Sequence, residues 1–353
     1  MGATIRDVAR DAGVSVATVS RLINRTGRVR DDTARRVQAA IDRLGFRPNA
    51  IGRTLSTART RTLGVVIPSL SNPVFAEAVA GITTEAKAQG YTLMFTSTEY
   101  ASAEEQPLVG ALLDYQVEGL ILTVADAADS PVLDRLDHDA VPYVLIYNQP
   151  TERGRPTVTV DNVTAGREVA GMLVDLGHER LAMVSGRLAA SDRARARRDG
   201  FVAEATARGL PPPRVLEVDF VDLDADAALA PLIADRATAP TALFCSNDLL
   251  AISVIGALGR LGLGVPGDVS VIGFDGIAVG AQLHPTLATV TQPSREMGRV
   301  ATTRLLARLA GEEAAAATLL PHGLRLGESA GPAAKPCPAA PQTPFHHNGR
   351  SAS

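Results

Sequence analysis

Arg21 and the residues around it are the first in this 353-residue chain whose types and spacing suit a chemical task. They close the stretch TIRDVARDAGVSVATVSRLIN, residues 4–24. Thr4 is a good helix N-cap, and Asp7 three positions later suits a capping-box pair. Ile5, Val8 and Ala9 give the first helix one apolar face. Gly13 is the residue type best suited to end a helix in the left-handed region. Ser15 can cap a second helix over 16–23, with Val19, Leu22 and Ile23 inward. Val16, Ala17, Ser20, Arg21 and Asn24 then remain on its outer face. That is a helix-turn-helix pattern, in which the second helix enters the DNA major groove and reads base edges. An ordinary helical hairpin has the same punctuation, so the rest of the chain must decide.

Other chemistry is poorly represented. No Walker motif, nucleophile elbow or GxGxxG following a strand occurs. His178, in LGHER, falls in a turn before a strand and reads as structural. Cys245 and Cys337 offer neither a disulfide framework nor metal spacing, which fits a reducing cytosol and a cytoplasmic protein without cofactor or metal. Met1 leads directly into the first helix, so no signal peptide is expected, and no apolar run reaches transmembrane length. The chain is 46% hydrophobic and 21% charged, as a soluble protein of two or three domains would be. Its charge is uneven. Residues 1–60 hold twelve arginines and five aspartates, a net of +7, against −3 for the whole chain, which leaves −10 for the remainder. A basic head on an acidic body fits a DNA-binding module joined to something that does not bind DNA.

The elements that position these residues follow in order. A third helix is expected over 32–44, capped by Asp31 or Asp32 and ended by Gly45, with Ala34, Val37, Ile41 and Leu44 inward. Pro48 stops it from continuing. Residues 49–56, NAIGRTLS, allow two helical turns that are marginal alone, Gly52 costing about 1 kcal/mol relative to Ala. Coil in the free protein and helix when held by DNA and a partner subunit is the expectation; a plain linker is the alternative. Leu55 could wedge between minor-groove base steps. From residue 61 strands alternate with helices. Strands are expected at 63–67, 91–96, 119–124, 142–147, 157–160, 180–184, 214–218, 242–245 and 269–274. The intervening helices are expected at 73–90, 103–116, 163–177, 194–208, 226–235 and 249–261. This is an α/β pattern of parallel sheets with helices on both faces, too long for one open sheet, so two doubly wound lobes with a cleft are expected. From about residue 330 the chain is rich in Pro, Ala, Ser and His, without periodicity, and no heptad suggests a coiled coil. The expected division is a head at 1–48, a hinge at 49–60, a two-lobed effector-binding and dimerisation core at 61–328, and a disordered tail at 329–353.

Residues 4–328 resemble the LacI/GalR family of bacterial transcription regulators. The opening signature is matched almost residue for residue. GFRPNAIGRTLSTARTRTLGVVIP resembles the hinge and first core strand. NPVFAEAVAGI, VEGLIL, VPYVLI, VTVDN, GHERLAMVSG, ARRDGF, SNDLLAISVIGAL, LGVPGDVSVIGFDG and HPTLATVTQP resemble core landmarks in the family's order. The resemblance implies a homodimer, a palindromic double-stranded operator, and a periplasmic-binding-protein-like core that senses a small effector, commonly a carbohydrate. It implies that Val16, Ala17 and Arg21 meet base edges, where arginine suits guanine and small apolar groups suit a thymine methyl. Thr4, Ser15, Thr18, Ser20 and Asn24, with Asn49 and Arg53 in the hinge, would position the protein on phosphates or flanking edges. Leu55 matches an intercalating leucine, and Gly52 departs from the commoner alanine.

In the core the resemblance assigns Arg197 to effector hydroxyl or carboxylate groups, Asp275 to an acidic ligand contact at the end of a strand, and Phe75 and Phe220 to aromatic walls. It places Asp161, Asn247 and Asp248 at strand ends facing the cleft. A helix-capping role competes for Asp161 and Asp248, a salt bridge for Arg197 and Asp275, and plain core for the phenylalanines. Two departures stand out. Tyr147 and Asn148 replace a common aspartate–arginine pair, and Arg193 and Arg195 add charge near Arg197. Tyr147 could stack on a sugar face, so neutral and acidic carbohydrates both stay open. A repressor whose DNA affinity is set by effector is the expected function, with induction or co-repression undetermined. A transport receptor of the same core fold and a doubly wound enzyme are the competing classes.

Overall fold

The computed structural model describes residues 3–24, 27–46, 60–220, 223–312 and 315–333. The head is three helices, α1 (Ile5–Ala12), α2 (Val16–Asn24) and α3 (Asp31–Leu44). Thr4 and Asp7 form the full capping box: the Asp7 carboxylate accepts the Thr4 N–H at 2.9 Å, and the Thr4 hydroxyl accepts the Asp7 N–H. Gly13, at φ +64°, ends α1 with its N–H on the last carbonyls. Ser15 accepts the Thr18 N–H at 3.2 Å and so starts α2. The expected cap of α3 is corrected. Arg30 is the N-cap and makes no side-chain cap bond, while Asp31 and Asp32 lie inside the first turn. There their charge complements the helix dipole rather than closing the end. Val8, Ala9, Ala12, Val19, Val37 and Ala40 are the buried centre of the head. The hinge expected at 49–56 lies outside the described residues, as does the chain from 334. The start of the expected disordered tail at 329 is corrected: Ser329 is fully buried and donates to the Val271 carbonyl at 2.6 Å, and the Ala333 N–H donates to the Leu176 carbonyl at 2.9 Å.

The core opens with β1 (Thr62–Ile67), α4 (Pro73–Ala88), β2 (Thr92–Ser97), α5 (Glu105–Asp114), β3 (Gly119–Leu122), α6 (Pro131–His138), β4 (Tyr143–Ile146) and β5 (Thr157–Thr159). It continues with α7 (Asn162–Asp175), β6 (Leu181–Gly186), α8 (Asp192–Ala207), β7 (Arg214–Val218), α9 (Ala225–Ile233), β8 (Ala242–Cys245), α10 (Asp248–Arg260), β9 (Ser270–Asp275) and β10 (Ala288–Thr291). It ends with α11 (Ser294–Leu309), β11 (Ala317–Leu319) and β12 (Gly323–Arg325). Two six-stranded sheets result, ordered β11-β5-β4-β3-β1-β2 and β12-β10-β9-β8-β6-β7. All neighbours are parallel except β10 and β12. The first five strands of each sheet share one order, 2-1-3-4-5 in the lobe's own count, the doubly wound pattern that leaves a ligand crevice at the strands' carboxyl ends. The two-lobed α/β expectation holds. The chain passes between lobes three times, after β5, after β10, and between β11 and β12.

Expected elements lie within a few residues of those observed, but five were not anticipated: α6, α11, β10, β11 and β12. The buried face of α11 is Ser294, Met297, Gly298, Ala301, Thr302 and Leu305. Its small and polar members dilute the hydrophobic period. The last two strands are three residues each and exposed on at least one position.

Those small residues have a packing reason. In the first lobe a Cβ on Gly81 of α4 would lie 1.9 Å from the Arg295 carbonyl oxygen of α11, and one on Gly298 2.1 Å from that of Ala78. The second lobe repeats the device: a Cβ on Gly166 of α7 would lie 2.2 Å from the Arg197 oxygen of α8, and one on Gly200 2.0 Å from that of Val163. Each lobe therefore holds one helix pair at backbone contact, where only glycine fits. Gly200→Ala and Gly81→Ala are each expected to destabilise by about 1–3 kcal/mol through overpacking. Gly110→Ala, in α5 with nothing within 4 Å of the added carbon, should be neutral or stabilising by up to about 1 kcal/mol. Thermal unfolding of the three variants beside the parent checks both directions.

Candidate functional site

The head presents its outer face as a recognition helix requires. Val16 is 41% exposed, and Ala17 and Arg21 are exposed beside it. The aliphatic stem of Arg21 runs past Gly27. Thr4 is committed to capping, and the hydroxyls of Ser15 and Thr18 meet at 2.9 Å. These three polar groups are thus set by the helix ends before any ligand arrives. Ser20 is half-buried on the same helix. Asn24 closes α2, and its side chain lies outside the described residues, as do Asn49, Arg53 and Leu55.

The second site is a cavity of about 30 Å³ between the lobes, so side chains must part to admit a sugar-sized molecule. It gathers Phe75, Tyr147, Arg197, Phe220, Asn247 and Asp275, six of the seven effector residues expected from sequence. Asp161 is not among the lining residues. It caps α7, accepting the Thr164 N–H at 2.9 Å and the Thr164 hydroxyl at 2.7 Å. Asp248 lies behind the wall, fully buried, accepting from the Thr289 hydroxyl at 2.5 Å and the Ile277 N–H at 2.8 Å. His178 bonds Thr241, Ser270 and the Gly331 carbonyl, which ties the end of the described chain to the second lobe.

Each wall residue is held by its element. Phe75 sits in the first turn of α4 and meets the Tyr147 ring edge-on at 5.4 Å. Tyr147 takes φ +68°, uncommon for a bulky side chain. Its N–H donates to Val158, its carbonyl accepts from the Thr159 hydroxyl, and its own hydroxyl donates to the Val74 carbonyl at 3.0 Å. Burial raises that phenol's pKa. It is therefore a fixed wall, with its hydroxyl already spent. Asp275 ends β9 at φ +123°, a second strained position on the same cavity. Gln292 donates to its carboxylate at 2.7 Å. Burial raises the Asp275 pKa to about 7, with Arg197 opposing the rise and Asp248 adding to it. Arg197 lies over the Phe274 ring at 3.4 Å, donates from Nε to Asn162 at 2.8 Å and from Nη1 to the Ser246 carbonyl at 2.6 Å. Burial lowers its pKa to about 10, still far above neutrality. No ion pair joins Arg197 and Asp275 among the described residues; they couple across the cavity.

Sequence reasoning missed part of the wall. Asn72, Tyr100, Gly186 and Gln292 also line it. Phe220 packs where a Gly186 side chain would be, 1.8 Å from a built Cβ, and its ring lies 5.0 Å from that of Tyr100. Asn72 had a visible signal as the residue before Pro73, a cap that faces the cleft; Tyr100 had none. The departure at Asn148 is answered from the other lobe. Asn148 is fully buried, exchanges two hydrogen bonds with Val124, and donates to the Asp192 carboxylate at 2.9 Å. The same oxygen of Asp192 accepts from Gln149 N–H at 3.0 Å and Ala127 N–H at 3.3 Å. Arg195 pairs with Asp126 across the same seam.

Comparison with known proteins places this geometry. Residues 4–49 match the family model for bacterial regulatory proteins of the lacI family, and residues 170–330 match a periplasmic binding protein-like domain. Catabolite control protein A of Priestia megaterium is 33% identical, covering 93% of this chain and 99% of its own length. The transcriptional repressor PurR of Vibrio parahaemolyticus is 36% identical, over 88% and 93%. Among solved structures, the Lac repressor dimer bound to operator and the anti-inducer ONPF superposes with a TM-score of 0.83 at 27% identity, over 93% of this chain and 99% of that one. The transcriptional regulator CelR–cellobiose complex gives 0.67 at 28%, over 93% and 100%. Among the described residues no helix is long and apolar enough to cross a membrane, and no group of His, Cys, Asp or Glu is placed to hold a metal.

Asp275 carries a pH signature. The folded protein keeps its proton up to about pH 7, whereas an unfolded aspartate releases it near about 3.9. Between those values the folded state binds more protons, so this group's contribution to stability falls as pH rises. Asp275→Asn should therefore gain on the parent in unfolding midpoint between about pH 5 and about pH 8. A constant difference across that range would mean Asp275 is ionised throughout.

Proposed function

The chain belongs to the lacI family of bacterial regulatory proteins, and from that premise we propose that it is a repressor which binds a palindromic operator as a homodimer, under control of a small carbohydrate-like effector in the interlobe cleft. The observation that carries the reading is the union, in one chain, of an exposed Val16–Ala17–Arg21 face with a cavity that brings Arg197 and Asp275 together. The first suits base edges, and the second suits a polyol, whose hydroxyls both donate and accept. Relatives support the pairing: one solved neighbour is a Lac repressor dimer on operator, and another holds cellobiose.

In this reading residues 1–48 bind DNA, 49–60 form the hinge, and 61–333 sense effector and dimerise, the last five of these being bonded into the second lobe. The homodimer is supported by the edge strand β2, where Phe95 is 56% exposed, and by Leu70, 58% exposed in the loop after β1. Apolar side chains on an unpaired strand edge favour association. Control follows from linkage: a ligand that prefers one lobe arrangement shifts the geometry presented to the two heads.

Selection from random duplexes tests the DNA half. Enrichment of an inverted repeat is expected, and its absence would count heavily against the reading. Arg21→Ala should relax preference at one base pair in each half-site, a loss of about 1–3 kcal/mol for the preferred base. Equal loss on all sequences would reassign Arg21 to phosphate contact.

A further inference from the structure

Arg193, in the first turn of α8, lines the cavity and is only 6% exposed. Its guanidinium has five N–H donors. The protein supplies one weak acceptor, the Val124 carbonyl at 3.4 Å. The nearest carboxylate oxygen, on Asp192, stands 4.0 Å away, and that residue's other oxygen is taken by the three donors of the first lobe. Among the described residues no other hydrogen bond holds Arg193, which lines the cavity; its charge is otherwise met only at longer range, by the carboxylates of Asp275 and Glu105. Arg197 adds a second guanidinium on the same side. A buried cation with so few partners is costly unless an anion joins it.

The other polar groups of the wall lean the same way. Asn72 and Asn247 each spend their side-chain oxygen on a helix cap, at 3.2 Å to the Val74 N–H and 2.8 Å to the Leu250 N–H. The Asn72 side chain also bonds the Tyr100 hydroxyl, whereas the NH₂ of Asn247 is left as a donor. Against these donors stand the Asp275 carboxylate and the Gln292 side-chain oxygen, which is buried and unpartnered. The wall therefore asks for a ligand that mostly accepts, yet has a hydroxyl to give to Gln292.

We propose that the effector is an anion, a hydroxylated small molecule bearing one carboxylate or phosphate that Arg193 binds beside Arg197. This rests on the effector-cleft reading above and narrows it. A neutral sugar would leave the Arg193 guanidinium with one long hydrogen bond and a carboxylate 4.0 Å away, whereas an acidic one completes it with charge-assisted hydrogen bonds. Arg193 is then the residue that selects acid over neutral parent.

The test is thermal unfolding and titration calorimetry of the full chain against hexoses and pentoses, their sugar acids and their sugar phosphates, with operator affinity measured beside each. Stabilisation by an acid or a phosphate and not by the neutral parent is expected, and the two arms separate carboxylate from phosphate. Arg193→Gln should weaken the hit by about tenfold to a hundredfold, the scale of a lost charged hydrogen bond. Arg193→Lys should keep part of the affinity. A neutral sugar that binds parent and Arg193→Gln alike would overturn the anion and leave the effector reading standing. An acid whose affinity is unchanged in Arg193→Gln would also overturn it. A panel in which nothing moves either unfolding or operator affinity would overturn the effector reading and the anion with it.

Discussion

The Asp192 carboxylate is the contact on which the cleft depends. It belongs to the first residue of α8, in the second lobe, yet one of its oxygens accepts three hydrogen bonds from Ala127, Asn148 and Gln149 of the first lobe. Its N–H adds a fourth, to the Ala125 carbonyl at 2.8 Å. This seats the helix that carries Arg193 and Arg197, and so fixes the distance between the two walls. Each such bond nets only about 0.5–1.5 kcal/mol between neutral groups and about 1.5–3 kcal/mol to a charged one, because water takes over the same groups once they part. A latch of that size holds this arrangement of the lobes while leaving it within reach of a ligand's binding energy.

Much of this was legible in the sequence, and the parts that were not share a cause. The head was readable because its signals are local: Thr4 with Asp7, Gly13, and Ser15 each act within four residues. Its one misreading, the cap of α3, came from two adjacent aspartates competing for a role that Arg30 took by backbone conformation alone. The strands were readable as apolar runs. α11 was not, because a helix packed at backbone contact needs Gly298 and Ala301 where periodicity looks for large side chains. In the cleft, Arg197 and Asp275 were found by resemblance. Tyr100, Gly186 and Gln292 come from three separate loops and strand ends, and only folding brings them together. Asp192 was invisible for the same reason: its partners are more than forty residues away.

The lobes differ from the seam between them in kind. Inside each lobe a glycine-lined helix pair meets backbone to backbone, α4 on α11 and α7 on α8, with no slack for sliding. Close packing of that sort resists deformation. At the cleft-side seam, by contrast, hydrogen bonds and the Arg195–Asp126 ion pair stand beside the Tyr100–Phe220 ring contact. Stiff bodies joined by such contacts and three connecting segments move by hinge rotation rather than by internal repacking.

Arg197, Asp275 and Tyr147 of the cleft are bonded to those connecting segments. Asn162, just after the first crossing, accepts from Arg197 at 2.8 Å. Gln292, within the second crossing, donates to Asp275 at 2.7 Å. Thr159, at the last position before the first crossing, holds the Tyr147 carbonyl. A ligand that draws Arg197 and Asp275 together therefore acts on groups bonded to the pivots themselves, with no longer relay required. The strain recorded at Tyr147 and Asp275, both at positive φ, sits on residues bonded to these joints. Backbone held in a sparsely populated region is held by its neighbours, and a change in those neighbours is what a ligand supplies.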